Sequence, residues 1–361
     1  MTMSMSTNST NTAGRTATAS TAFNARIPNK EPTDPLRLGT RLVGQSGTQY
    51  QIDKMLQCRT EPVLACVYLA SNTKDGKKYV LKNIFHTEFA YQLDMQMPLS
   101  GCSNVRVVMD TIPEHLLFVY SYFTRDLLEL GDKRDIPYIA KKRILRDALI
   151  GLVDLHERRI VHTDIKPNNI FVDFGEKPGD APAIQVNRVQ IGDLEMGSMV
   201  PPDLNIRGAR LGNPMWRSPE AHAAARVNLP ADIFSFGLVC IYTILGRIIF
   251  HVNDNNKEGI PRSEDEKQKI IIKRLLSHFG DRDGLIGLVE HLHYDELACW
   301  SPKLIMDVAK GFTADDPRKP FSLWEDVDAR FRDVVVQMMS LAPARRITAR
   351  QALEHPWFRD V

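Results

Sequence analysis

The 361-residue chain lacks any imbalance of charge: 46 basic side chains stand against 44 acidic ones, for a formal net charge of +2. A near-neutral chain has no broad attraction for nucleic acid or an acidic membrane surface, so neither is expected as a partner. Cysteine is sparse. The five residues Cys58, Cys66, Cys102, Cys240 and Cys299 are scattered, odd in number and contain no Cys-x-x-Cys pair. That pattern speaks against both a zinc ribbon and a disulfide framework. It suits a reducing intracellular compartment, cytoplasmic or nuclear, with Cys58 and Cys66 as small hydrophobes. Long apolar runs are also missing. The most apolar stretch, Ile233–Gly246, is flanked by Asp232 and Arg247 and is too short to span a bilayer, so it reads as a buried helix. The N-terminus has no apolar core of the kind a secretory signal needs.

What is present is ordinary globular material, 43% apolar and 25% charged, long enough for one large domain or two smaller ones. Residues 1–34 differ. The first 30 hold 11 Ser or Thr and only three basic residues, Arg15, Arg26 and Lys30. Such a segment cannot bury enough apolar surface to offset its ordering entropy, and a disordered tail is expected there.

From Tyr50 to Phe85 the texture is strand-like. Val63–Ala70 and Lys78–Lys82 flank a turn at Asp75-Gly76, and Leu116–Tyr120 reads as a further strand. Beyond it Ile144, Leu145, Ala148, Leu149, Leu152 and Val153 form an apolar stripe at helical spacing, and helices are expected at 232–246, 265–279, 327–341 and 348–358. A strand-rich front before a helix-rich remainder predicts an α+β fold with two lobes.

The chemistry concentrates in Ile160-Val-His162-Thr-Asp164-Ile-Lys166-Pro-Asn-Asn169-Ile-Phe-Val172. Asp, Lys and Asn at positions 0, +2 and +5 of one loop suit phosphoryl transfer. Asp164 can accept a hydroxyl proton, Lys166 can neutralise the moving phosphate, and Asn169 can coordinate magnesium. Here the sequence resembles the catalytic loop of the protein kinases, His-Arg-Asp-Leu-Lys-Pro-x-Asn, with a lysine at +2 in the serine/threonine manner. Other segments resemble family motifs in the family's order: Tyr79-Val-Leu-Lys82, Ile191-Gly-Asp193-Leu-Glu195, Gly212–Glu220, Asp232–Gly237 and Pro343–Thr348.

The resemblance implies a bilobal kinase fold over residues 35–361, with a β-rich small lobe to about 122 and a helical lobe from 123. It implies ATP and Mg2+, with Mn2+ as an alternative, and a protein substrate or binding partner. Lys82 would hold the α- and β-phosphates, and Asn169 and Asp193 the metal. The base would lie between Val67 and Val80 above and Phe171 below, against a hinge containing Ser121 and Phe123 with Tyr120 at its gate. His162 and Asp232 would be structural, and Glu220 and Arg346 a buried ion pair.

Several positions depart from the family's pattern. The glycine-rich loop has no glycine: Thr60, Pro62 and Ala65 fall at its three positions. A proline has no N–H to offer a phosphate, so weakened nucleotide affinity is expected. Thr163 replaces the arginine before Asp164, and Ser198 is the sole hydroxyl residue between Leu194 and Arg217. An activation-loop phosphate switch is therefore not expected. Glu195 stands at a glycine position and Asn213 at a threonine position. The partner of Lys82 is left open among Asp94, Gln92 and Glu88, with Asp94 favoured. Two functions follow: a slow serine/threonine kinase, or a catalytically impaired pseudokinase serving as a protein-binding scaffold.

Overall fold

The computed structural model describes residues 27–131, 136–175, 185–255 and 259–361. The expected tail thus lies outside the described residues as far as residue 26. Close to the end of that segment, Glu31 Oε1 accepts a hydrogen bond from the His86 backbone N–H at 2.8 Å.

The front of the chain forms one antiparallel sheet. Its strands are β1 (Arg41–Val43), β2 (Gln49–Arg59), β3 (Ala65–Asn72), β4 (Lys78–Asn83), β5 (Asp110–Ile112) and β6 (Leu117–Ser121), in the order β1-β2-β3-β4-β6-β5. Alternation sets the register. Cys66, Tyr68 and Ala70 of β3 point into the small-lobe core with Leu81 and Val119. The β3–β4 turn forms where expected, with Gly76 at φ +71° and the Lys77 N–H donating to Asp75 Oδ1.

Helix α1 (His86–Gln96) lies between β4 and β5 in the chain. It escapes a pattern reading because its buried face carries Gln92 and Gln96 beside Phe89 and Met95, which breaks the apolar period. The cysteines also need correction. Cys58 and Cys66 are opposite one another in the β2–β3 register and form a disulfide, with Cys58 exposed rather than buried. Antiparallel pairing, not sequence spacing, brings them together.

The remainder is chiefly helical: β7 (Arg125–Asp126), α2 (Leu127–Gly131), α3 (Tyr138–Glu157), β8 (Ile160–Val161), β9 (Ile170–Gly175), β10 (Gln185–Ile191), β11 (Ser198–Met199), α4 (Pro219–His222), α5 (Leu229–Leu245), α6 (Glu264–Phe279), α7 (Arg282–His293), α8 (Pro302–Ala309), α9 (Ala329–Met338), α10 (Ala349–Glu354) and α11 (Pro356–Arg359). Helices α7 and α8 come in addition to those expected. The segment expected as one helix over 348–358 is two, divided at Pro356 because the preceding His355 takes an extended ψ of 140°. Helix α5 is apolar all round and buried from Ala231 to Thr243, as a core helix must be. It starts at Leu229 under an Asn228 cap, so Asp232 lies inside the first turn and is free for another task. No helix among the described residues is long and apolar enough to cross a membrane.

Two small sheets position the chemistry. Strands β10-β9-β7 and the pair β11-β8 bracket the segment from His162 to Asn169. The loop is thereby clamped at both ends by backbone ladders, while Ile165 and Ile170 anchor it in the large-lobe core.

Candidate active site

A cavity of about 610 Å³ opens between the sheet and the helical part. Val67, Val80, Lys82, Tyr120, Phe123, Lys166, Asn169, Phe171 and Asp193 all line it. Two expected site residues stand back from its wall. Asp164 sits behind Lys166, and Ser121 is buried with its carbonyl engaged from inside.

The catalytic-loop side chains meet closely. Lys166 Nζ donates to Asp164 Oδ2 at 2.6 Å, and Asn169 Nδ2 donates to the Asp164 carbonyl at 2.8 Å. The Asn213 N–H donates to Asp164 Oδ1 at 3.0 Å, so the backbone at 213 braces the aspartate although the family's threonine is missing. Asp232 is the keystone below. Its carboxylate accepts the N–H groups of His162 and Thr163 at 2.8 and 2.9 Å, and His156 Nε2 lies 3.0 Å away. His162 Nε2 sits 3.0 Å from the Gly192 carbonyl, tying the loop to the segment that carries Asp193. Both residues hold backbone in place, as the resemblance implied.

The partner of Lys82 differs from expectation. Asp94 and Glu88 are exposed on α1, and Gln92 turns elsewhere, donating to the Glu195 backbone carbonyl at 2.9 Å. Lys82 Nζ instead lies 2.6 Å from Asp193 Oδ1 and 2.7 Å from Glu195 Oε1. The carboxylate expected on α1 has in effect moved to position 195, where the family carries glycine. Burial alone would discharge Lys82, but Asp193 and Glu195 outweigh it and raise its pKa above that of a free lysine. Burial opposes ionisation of Asp193 too, yet Lys82 holds that carboxyl below the usual range. Burial dominates at Glu195 and pushes it up.

Sequence reasoning missed Arg106. It lies just before β5, 8% exposed, and its Nε and Nη2 donate to the Ser121 carbonyl at 3.0 and 2.7 Å. Its guanidinium carbon stands 4.4 Å from the Phe171 ring centroid, 5.2 Å from Tyr120 and 5.9 Å from Phe123. Burial pushes its pKa down to about 10. Gly192 gives it room, since a Cβ there would come within 2.9 Å of Arg106 Cβ and 3.0 Å of Phe171. The sequence did hold a signal. Tyr120, Phe123 and Phe171 make an unusually aromatic slot, and aromatic faces attract a cation.

The segment after Asp193 is pinned to the loop. Thr163, at φ +65°, donates through Oγ1 to the Met196 carbonyl at 2.8 Å, and Ser198 is paired in β11 beside Val161. Gly212 has φ +74°, and a Cβ on it would come 2.4 Å from the Thr163 carbonyl. Gly212→Ala is therefore expected to destabilise the fold by about 1–3 kcal/mol, because the strained φ and the clash fall on rigid backbone. A urea midpoint equal to that of the wild type would contradict this contact.

Glu220 and Arg346 form the buried pair that the resemblance implied. The two side chains are bidentate at 2.6 and 2.8 Å and almost fully inaccessible, with the Arg346 guanidinium 4.9 Å from the Phe234 ring centroid.

A six-stranded sheet over a helical lobe, with Lys82, Lys166, Asn169 and Asp193 lining the cleft and Asp164 directly behind Lys166, is the arrangement of the two-lobed phosphotransferases. Residues 63–358 match the family model described as the protein kinase domain, and the chain belongs to the protein kinase family. Similar proteins include a serine/threonine-protein kinase ssn3 of Emericella nidulans, 26% identical over 68% of this chain and 60% of its own length. The cyclin-dependent kinase B2-1 of Oryza sativa subsp. japonica is 24% identical over 68% of this chain and 66% of its own. The cell division control protein 2 homolog 3 of Trypanosoma brucei brucei is 26% identical over 68% and 69%. The chain thus spans about 60% of the length of the fungal relative.

Proposed function

We propose that this protein transfers the γ-phosphoryl group of ATP to serine or threonine hydroxyls of a protein substrate, slowly and with weak nucleotide affinity. The observation that carries the reading is the meeting of Asp164 with Lys166 and Asn169 within hydrogen-bond distance, at the wall of a cavity that Lys82, Lys166, Asn169 and Asp193 line. Phosphoryl transfer is chiefly positioning and electrostatics, and these five residues supply both.

Asp164, held on three sides, is oriented to accept the hydroxyl proton. Lys166 is placed to neutralise charge on the transferring group, and Lys82 to draw phosphates into the cleft. The residues also fit a divalent cation. Asn169 donates its amide nitrogen to Asp164, which leaves its amide oxygen for a metal, and Asp193 supplies a carboxylate. Mg2+ or Mn2+ bound there would neutralise the phosphates. The names of the relatives support a serine/threonine hydroxyl as acceptor, as does lysine at position 166.

In this reading Glu195, beside Asp193, keeps Lys82 charged and aimed. Glu195→Gln is expected to lower kcat/KM for ATP roughly ten- to hundredfold, since a hydrogen bond to a charged group is worth about 1.5–3 kcal/mol. An unchanged kcat/KM in Glu195→Gln would contradict the assignment. The direct test of the function is transfer of radiolabelled phosphate from ATP to a serine/threonine peptide library in the presence of Mg2+.

A second reading, a pseudokinase scaffold, is favoured by the residues at the nucleotide loop. Thr60, Glu61 and Pro62 are exposed between β2 and β3 where glycines would cradle phosphate. The absence of any thermal shift at millimolar Mg-ATP, together with no transfer, would favour that reading.

A further inference from the structure

We propose that Arg106 occupies the base subsite of the nucleotide cleft and sets its affinity, so that a purine ring can seat only after this side chain leaves. The inference rests on reading the cavity as a nucleotide site and adds a residue that no motif contains.

The geometry of the side chain carries it. A guanidinium is flat, cationic and rimmed with donors in one plane. Here that plane stands at stacking distance from Phe171, 4.4 Å from carbon to ring centroid. Phe171 is the floor on which a base would lie. The donor edge faces the Ser121 carbonyl and gives it two hydrogen bonds, at 3.0 and 2.7 Å. An exocyclic amine on a purine would need that same carbonyl as its acceptor. Tyr120 and Phe123 close the slot at 5.2 and 5.9 Å. Arg106 thus reproduces from within the flat face and the amine edge that adenine would present.

The anchoring is firm. The Arg106 N–H donates to the Ile191 carbonyl at 2.7 Å, two residues before Asp193, and the neighbouring Val105 bridges to Ile191 in parallel. The plug is therefore fixed to the strand that leads to the metal-binding aspartate. A buried arginine freed from its acceptor leaves both a charge and a carbonyl without partners, so the closed state is self-stabilised. The phosphate half of the cleft is untouched by this arrangement. Lys82 pairs with Asp193 and Glu195, and Arg106 makes no hydrogen bond to any of the three.

A merely structural brace between the hinge and the back of the cleft would behave differently. Removing a brace leaves nucleotide affinity unchanged or weakens it, whereas removing a plug strengthens it. The two readings predict opposite signs.

The test is isothermal titration of the full chain with Mg-ATP, Mg-GTP and magnesium tripolyphosphate, which lacks both base and sugar. Arg106→Val is expected to tighten Mg-ATP binding roughly tenfold or more, the equivalent of about 1.4 kcal/mol. Tripolyphosphate binding is expected to stay within about twofold of the wild type, because Arg106 touches only the base subsite. Arg106→Lys keeps the charge but not the flat fork, so it folds more safely and is expected to show a smaller gain in the same direction. In the wild type, ATP and GTP are expected to bind equally weakly. Unchanged or weaker ATP binding in both variants overturns the plug. GTP binding more than about tenfold tighter than ATP to the wild type overturns it as well, since Arg106 would then read a base oxygen. Lys82→Met, titrated alongside, separates this proposal from the one it rests on. If Lys82→Met abolishes tripolyphosphate binding while Arg106→Val gains nothing, the phosphate site stands and the plug falls. If no variant binds any of the three ligands, both fall.

Discussion

Arg346→Ala is expected to destabilise the helical lobe by about 3–5 kcal/mol, the largest stability effect of any single substitution considered for this chain. The size follows from burial. Arg346 and Glu220 are 0% and 1% exposed, so truncating the arginine strands a carboxylate where water cannot reach it. The same change leaves the carbonyls of Ser340, Leu341 and Pro230 without their donor, and with them the tie between the Ser340–Leu341 turn and the start of α5. The effect carries a pH signature. Burial acts to raise the Glu220 pKa, but Arg346 outweighs it and holds the carboxyl below its ordinary 4.5. A depressed carboxylate contributes stability above its unfolded pKa and loses it as pH falls through the folded value. The gap between wild type and Arg346→Ala is therefore expected to be widest near about pH 8 and to narrow toward about pH 4, as the wild type loses the pair and the stranded carboxyl of the variant takes up a proton. Urea titrations across that range read it directly. A gap below about 1 kcal/mol at neutral pH would put the pair in the class of weak surface bridges.

Asp164→Asn is expected to lower phosphoryl transfer by about 10²- to 10⁴-fold, the usual worth of a positioned general base. The substitution isolates charge from shape. Asp164 is fixed by Lys166 at Oδ2, by the Asn213 N–H at Oδ1 and by Asn169 at its backbone carbonyl; an asparagine keeps the carbonyl bond and one of the two side-chain acceptors, and the loop remains clamped by the ladders on either side. The unfolding midpoint is accordingly expected to move by no more than about 3 °C. Mg-ATP affinity is expected to remain, since Asp164 stands behind the cavity wall rather than in it. A variant that transfers phosphate as fast as the wild type would remove Asp164 from the chemistry. One that no longer folds would show the loop to be held by charge rather than by the ladders on either side.

Much of this was legible in the sequence, for identifiable reasons. The two-lobed α+β order could be read because strands and helices are segregated along the chain and each keeps its own period. The catalytic loop could be read because its residues are adjacent in sequence, so spacing and geometry coincide. What was hidden depended on register or distance. The Cys58–Cys66 bond exists because β2 and β3 pair at that rung. Helix α1 buries two glutamines and so lacks an apolar stripe. The partner of Lys82 was sought among Glu88, Gln92 and Asp94, which fall on that helix. The carboxylate instead arrives from Glu195, 113 residues further on, beside Asp193. Arg106 belongs to no motif, and only the folded chain shows three aromatic rings gathered around it.

These departures share a direction. In the proposed reading the loop between β2 and β3 has no glycine to cradle phosphate, Arg106 stands where the base would lie, and Lys82 is tied to two carboxylates. The large-lobe machinery around Asp164 is by contrast intact and well braced. An enzyme built this way keeps its chemistry and gives up ease of nucleotide entry, so KM for ATP rather than the transfer step is expected to carry most of the loss.

The central claim is that the cleft transfers phosphate through its own aspartates. It is tested most directly by following phosphate from Mg-ATP, and in parallel from Mn-ATP, onto a serine/threonine substrate at millimolar nucleotide, with wild type and Asp193→Ala side by side. The account predicts measurable, slow transfer by the wild type and its loss in Asp193→Ala. Equal transfer by the two proteins, or none by the wild type with either metal, would contradict it.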